Sequence, residues 1–209
     1  MLELSIESIF ESRYKTEPEK KKIGKTILLV SPAPGEGKSL CAANVAFSFA
    51  NIGKKVIIVD TDTRKPSLNR LFNVNSSPGL IELVFKDFDI DSVIIKDLYP
   101  NLDVITAGER LSNEIEFTSS RRFLDLLEIL KTRYEYVIFD SPAMLVVSDP
   151  IMLAPKMDAV VMLIKHNETK YESAIKALRF LENVKAPLCG IVYNGVKSER
   201  KYYYKYYEN

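Results

Sequence analysis

An α/β fold, with a mostly parallel central sheet and helices on both faces, is predicted for this 209-residue chain by three observations. Between residues 26 and 193, short β-branched runs alternate with segments of helical spacing, the pattern of successive βαβ units. The runs are apolar nearly throughout, as strands are when helices cover both sheet faces. A glycine-rich loop ending in Gly37, Lys38 and Ser39 joins the first run to the first helical segment, which is the context of a P-loop.

Taken in order, strands are expected over residues 26–31, 56–60, 102–106, 136–140, 159–165 and 188–193. The helix expected over 39–51 carries small and apolar residues at Ala42, Ala43, Ala46, Phe47 and Ala50, and those over 123–131 and 169–183 carry i, i+3, i+4 stripes. Ser148, Asp149 and Pro150 read as a helix start. Gly53, Gly79 and Gly108 mark breaks after helices or strands.

With 46% hydrophobic and 27% charged residues, the chain has the composition of one globular domain with a substantial core. A net charge of +1 creates no global field that would draw nucleic acid, so partners must be inferred locally. Cys41 and Cys189 lie in separate apolar segments without metal-ligand spacing and read as small core residues in a reducing compartment. No apolar run approaches the roughly 18 residues of a membrane span, and charges recurring from Glu3 to Lys20 leave no signal-peptide core. Three parts follow: residues 1–22, with Leu2, Ile6, Ile9 and Phe10 at helical spacing before a basic linker, as a docking or oligomerisation segment; 23–197 as the P-loop domain; and 198–209 as a tyrosine-rich tail.

The P-loop reading assigns phosphate oxygens to the N–H groups of Gly35, Glu36, Gly37, Lys38, Ser39 and Leu40, helped by the positive end of the following helix. Lys38 would bridge the β and γ phosphates, and the Ser39 hydroxyl would join the shell of a Mg²⁺ ion. The loop departs from GxxxxGK[ST] at Pro32, where the pattern has glycine, but Gly35 and Gly37 remain where backbone must approach phosphate. Asp60, Asp62 and Asp140 stand at two strand ends that should leave the sheet at the same carboxyl edge as the loop. Asp140 fits a Mg²⁺-holding carboxylate, and Asp60 and Asp62 could divide metal support and acceptance of a proton between them. Arg64 and Lys65 could steady phosphate or face solvent. His166, the only histidine, reads as a loop or packing residue.

Five of the eleven tyrosines, Tyr202, Tyr203, Tyr204, Tyr206 and Tyr207, fall within the last eight residues, among charges that oppose burial. Their phenols stay available to an incoming enzyme site, on a tail that can extend roughly 40 Å from the nucleotide edge; the bland reading is an aromatic contact patch.

Read together, residues 33–39 (Ala-Pro-Gly-Glu-Gly-Lys-Ser), 59–66, 139–143 and the final tyrosine cluster make the chain resemble the bacterial tyrosine kinases of capsule and exopolysaccharide synthesis, relatives of MinD-like and ParA-like ATPases. The resemblance implies autophosphorylation of the tail in trans with ATP and Mg²⁺, and adenine recognition by Asn194, which is equally a turn residue before Gly195. It implies a homo-oligomeric ring, a membrane-anchored activator or polysaccharide co-polymerase, a cognate phosphotyrosine phosphatase, and a place in the cytoplasm at the inner membrane face, held there by the activator. Two departures stand out. The signature lysine of the ATPase relatives would fall at Ala33, and the ExxRxxR assembly motif survives only as Glu7, Phe10 and Arg13, without its middle arginine. The competing readings are a nucleotide-driven ATPase switch and a non-kinase scaffold.

Overall fold

The computed structural model describes residues 23–109 and 117–196. The expected N-terminal segment and the five tail tyrosines lie outside the described residues. In chain order the elements are β1 (Lys25–Val30), α1 (Lys38–Asn51), β2 (Val56–Asp60), α2 (Leu68–Leu71), α3 (Leu80–Phe85), α4 (Ile90–Val93), β3 (Ile95–Tyr99), β4 (Leu102–Ile105), α5 (Arg121–Arg133), β5 (Tyr136–Asp140), α6 (Asp149–Leu153), β6 (Ala159–Lys165), α7 (Tyr171–Asn183) and β7 (Leu188–Asn194). The strands form one seven-stranded sheet in the order β3-β4-β2-β5-β1-β6-β7, parallel except where β3 meets β4.

The β-branched runs form strands because alternate side chains fill two separate cores. Leu28, Val30, Ile57, Val59, Val137 and Phe139 face Phe123, Leu126, Leu127 and Leu130 of α5. The opposite parity, Leu29, Ile58, Ile138 and Leu163, faces Ala42, Ala46 and Ala50 of α1, whose small side chains leave room for the sheet. At roughly 1.5–3 kcal/mol for each large side chain buried, both faces contribute, which a one-residue register slip would exchange and lose.

That register positions the site. β1 lies between β5 and β6, and β5 lies between β1 and β2, with Asp140 beside both Leu29 and Asp60. The loop after β1 therefore opens over the carboxyl ends of β5 and β2, where the strand order reverses and open α/β sheets bind ligands.

The structure departs from expectation at the edges of the sheet. β3 was not expected: its middle residues Lys96 and Asp97 are exposed, so it lacks the apolar run that marks the inner strands. It pairs antiparallel with β4 through a tight hairpin in which Asn101 adopts a φ of 66°. Gly79 precedes α3 as its N-cap rather than following an element. Cys189 is exposed and Cys41 only half-buried, against the expectation that both are core residues. β7 is the edge strand, and Ile191, Val192 and Tyr193 are exposed with Cys189, so an apolar run here does not signify burial on both faces.

Candidate nucleotide site

The loop between β1 and α1 is shaped by two glycines in the left-handed region, Gly35 at φ 82° and Gly37 at φ 94°. At Gly37 a Cβ would stand 2.2 Å from the Asn194 amide nitrogen, so glycine is required there twice over. Gly37 is also the N-cap of α1 and supplies no side-chain cap, whereas Ser120 caps α5 by accepting from the Phe123 N–H. The first turn of α1 thus keeps its amides for an anion.

A cavity of about 430 Å³ opens beside this turn, lined on one side by Gly35, Gly37, Lys38, Ser39 and Leu40. Its other walls include Asp62, Arg64, Lys65 and Arg70, and the apolar Pro142, Ala143, Val146 and Val147. Lys38 is buried and donates to the Ser31 hydroxyl at 2.9 Å. Burial lowers its pKa, against the raising influence of Asp140, Asp62 and Glu36.

The three aspartates occupy distinct environments. Asp60 is fully buried; its Oδ1 accepts from the Asp62 N–H and its Oδ2 from the Ser67 and Leu68 N–H groups, each at 3.0 Å. It thereby folds the segment 61–68 back over the site. Asp62 lines the cavity, and its Oδ1 accepts from the Lys65 N–H at 2.9 Å. Asp140 is fully buried and its Oδ1 has no hydrogen-bond partner, one of three such buried atoms among the described residues. Burial raises the pKa of Asp60 and of Asp140; the Asp140 charge raises Asp60 further, while Ser39 and Lys38 pull Asp140 back down.

The sequence reading did not single out Ser67, whose hydroxyl donates to Ser39 Oγ at 2.7 Å and lies 3.4 Å from Asp140 Oδ2. Its position after Pro66 and directly before α2 is a cap signature that could have identified it. Thr169 was also missed: it bonds Glu36 and nothing in its local sequence signals this. Arg64 and Lys65 reach the cavity wall, so neither faces solvent alone. His166 sits in the turn after β6, edge-on to the Tyr193 ring with centroids 5.4 Å apart and its Nδ1 2.5 Å from the Tyr193 hydroxyl. Asn194 is at the cavity's loop through another contact, donating from Nδ2 to the Glu36 carbonyl at 2.9 Å and accepting from the Gly195 N–H through Oδ1.

The oxygen set around the loop fits Mg²⁺. The orphaned Asp140 Oδ1 and the nearby Ser39 hydroxyl are hard donors, and Mg²⁺ bound with nucleotide takes one or two protein oxygens, completing its shell with phosphate and water.

Comparison with known proteins agrees with this geometry. Residues 24–188 match the family model described as AAA domain. The tyrosine-protein kinase YwqD of Bacillus subtilis is 36% identical over 183 residues, covering 88% of this chain and 77% of that protein. The tyrosine-protein kinase ptk of Acinetobacter johnsonii is 30% identical over 171 residues, which cover 82% of this chain but 23% of that longer protein. Among solved structures, the chimerical protein CapA2B2 superposes with a TM-score of 0.80 at 32% identity, covering 87% of this chain and 79% of that one. Carrying a two-glycine phosphate loop over converging buried carboxylates, the chain belongs to the bacterial tyrosine-protein kinase family of P-loop proteins.

Proposed function

We propose that this chain is an ATP-dependent protein tyrosine kinase that transfers the γ-phosphoryl group to its own C-terminal tyrosines, in trans, in the service of capsular or exopolysaccharide synthesis and export. The observation that carries the reading is the convergence on one cavity of Lys38, Ser39 and Asp62, with Asp140 buried beside Ser39 and its Oδ1 left without a partner. The kinship with YwqD and ptk supports the acceptor class.

The loop amides from Gly35 to Leu40, with Lys38, hold the β and γ phosphates and stabilise charge on the transferring group. Ser39 and Asp140 would hold Mg²⁺, which would supply neutralisation of the phosphate charge. The two carboxylates left open at the sequence level divide by their hydrogen bonds. Asp60 spends its oxygens on three backbone N–H groups and acts as an anchor, whereas Asp62 faces the cavity and serves as base. A tail phenol forms its O–P bond as the bond from γ-phosphorus to the bridging oxygen breaks. Its proton passes to Asp62, and ADP departs. The apolar wall of Pro142, Ala143 and Val146 offers the phenol ring a face in the same cavity. Tyr202, Tyr203, Tyr204, Tyr206 and Tyr207 are the acceptors, and Asn194 reads adenine with the amide hydrogen that Glu36 does not use.

The chain works at the inner face of the membrane, held by a membrane-anchored co-polymerase that activates it; no helix among the described residues is long and apolar enough to cross a membrane. It assembles as a ring, which repulsion among several tail phosphates loosens and a phosphatase restores.

The test is intact-mass measurement after incubation with Mg-ATP and an activator fragment. The wild-type chain should gain phosphates in steps, and a variant with all five tail tyrosines changed to Phe should gain none. Free phosphate without mass steps would favour an ATPase switch; neither signal would favour a scaffold.

A further inference from the structure

A carboxylate inside a phosphate-binding loop is electrostatically out of place, since it repels the anion that the loop must hold. Glu36 lies between the two left-handed glycines, yet its side chain is 2% exposed and, unlike Gly35, Gly37 and Lys38, does not line the cavity. It turns away from the phosphate side and ties the loop together. Oε2 accepts from the Ala33 N–H at 3.0 Å, closing the first turn of the loop, and Oε1 accepts from the Thr169 hydroxyl. That hydroxyl in turn accepts from the Lys165 N–H at 2.7 Å. With its oxygen engaged as acceptor, Thr169 has its one proton to give, and a carboxylate oxygen receives it. Two further bonds act at the same place: Asn194 Nδ2 reaches the Glu36 carbonyl, and Lys165 Nζ lies 3.4 Å from the Gly35 carbonyl. The loop is therefore fastened to the carboxyl ends of both β6 and β7.

We propose that the side chains of Glu36 and Thr169 form a clamp that holds the phosphate loop in its anion-binding shape, making both positioning residues for the nucleotide although neither side chain touches it. Two glycines within three residues give the loop unusual conformational freedom, and freezing that freedom is a cost that otherwise falls on nucleotide binding. A buried carboxylate with two donors removes the freedom in advance. The Ala33 amide is consumed by the clamp, so the cradle for phosphate begins at Gly35. The inference rests on the nucleotide-site reading above but not on the identity of the acceptor, because the clamp acts on binding.

The experiment is calorimetric titration of the purified chain with Mg-ADP, beside steady-state kinetics with ATP. Losing a hydrogen bond to a charged group should weaken Mg-ADP binding by roughly tenfold in Thr169→Val, with Thr169→Ser restoring most of it. Glu36→Gln should weaken binding by a similar factor, and the double variant should be no weaker than the worse single one, since each breaks the same contact. KM for ATP should rise while kcat at saturating ATP stays near the wild-type value, a split that a general loss of folded protein would not produce. Wild-type affinity in Thr169→Val, or full additivity in the double variant, overturns the clamp. If the wild-type chain itself fails to bind Mg-ADP, or Lys38→Ala binds it equally well, the nucleotide-site reading falls and the clamp with it. Thr169 is only half-buried, so its variants keep the test decisive should truncation of Glu36 prevent folding.

Discussion

The two rims of the sheet carry cavities of nearly equal size, about 430 Å³ at the carboxyl edge and about 410 Å³ at the amino edge, and they differ in how their charges are settled. At the amino edge, the Tyr134 hydroxyl donates to Asp103 at 2.6 Å, Arg133 and Lys96 both pair with Asp91, and the Lys55 ammonium lies 5.2 Å from the centre of the Tyr134 ring. At the carboxyl edge, Asp140 keeps an unpartnered buried oxygen and Lys38 rests on a hydroxyl rather than a carboxylate. Volume does not distinguish a binding site from a crease between elements. Charge left unsatisfied inside the fold does, because folding alone would select against it.

The largest expected effect breaks this contrast at its cationic member. Lys38→Ala should reduce tail phosphorylation by roughly 10²–10³-fold, the loss typical of removing one charge-stabilising donor from a preorganised site. Quantitative phosphotyrosine detection after incubation with Mg-ATP measures it, and near-normal phosphorylation would remove Lys38 from the chemistry.

Next in size is the division between Asp60 and Asp62. Asp62→Asn should lower kcat by roughly 10²-fold or more while leaving Mg-ADP affinity within a few-fold of wild type, as expected for loss of a general base. Asp60→Ala should instead lower the melting temperature, because three backbone N–H groups at Asp62, Ser67 and Leu68 lose their acceptor. Reversed phenotypes would exchange the two roles.

A smaller effect sharpens the comparison through pH. Burial raises the carboxyl pKa from 3.8 to about 7 for Asp60 and about 6 for Asp140. Between the unfolded and folded values the folded chain holds more protons than the unfolded one, so this contribution to stability is present below pH 4 and lost as the pH climbs through 6 to 7. The nucleotide-free protein should melt several degrees lower at pH 8 than at pH 5. Asp140→Asn removes one of the two charges and should flatten that slope, raising the melting temperature at pH 8 while phosphoryl transfer falls. Calorimetric melting of both proteins across that range tests it; parallel slopes would show that the pair does not titrate as described.

The same contrast explains what was legible beforehand. The inner strands could be read because burial on both faces leaves an uninterrupted apolar run, and β2, β5 and β6 begin and end where expected. β3 at one edge and the exposed face of β7 at the other escaped notice, since an edge strand's composition reports only part of its environment. The loop glycines, Lys38, Ser39 and the aspartates were visible because phosphate chemistry fixes their type and spacing. What was invisible depends on contacts across the chain: Thr169 meets Glu36 over 133 residues, and the Asp60 oxygens reach forward to Ser67 and Leu68. Choosing between Asp60 and Asp62 required those bonds, since in sequence they are equivalent acidic groups on one side of an extended segment.

The smallest effect on activity comes from the satisfied rim, where the contrast predicts a cost in stability alone. Tyr134→Phe removes the donor to Asp103 Oδ2 from a ring that is 6% exposed and otherwise keeps its packing. Burial, then the hydrogen bond and charge of Asp103, raise the Tyr134 pKa, so the phenol stays protonated and donating throughout the working range. Losing a bond to a partly exposed carboxylate costs about 1–2 kcal/mol, or roughly 2–8 °C in melting temperature for a domain of this size. Tail phosphorylation at a temperature well below the transition should be unchanged, because the substitution lies across the sheet from Lys38 and Asp140. A fall in kcat with an unaltered melting temperature would mean that the amino edge communicates with the nucleotide, and the division between a structural rim and a chemical one would have to be abandoned.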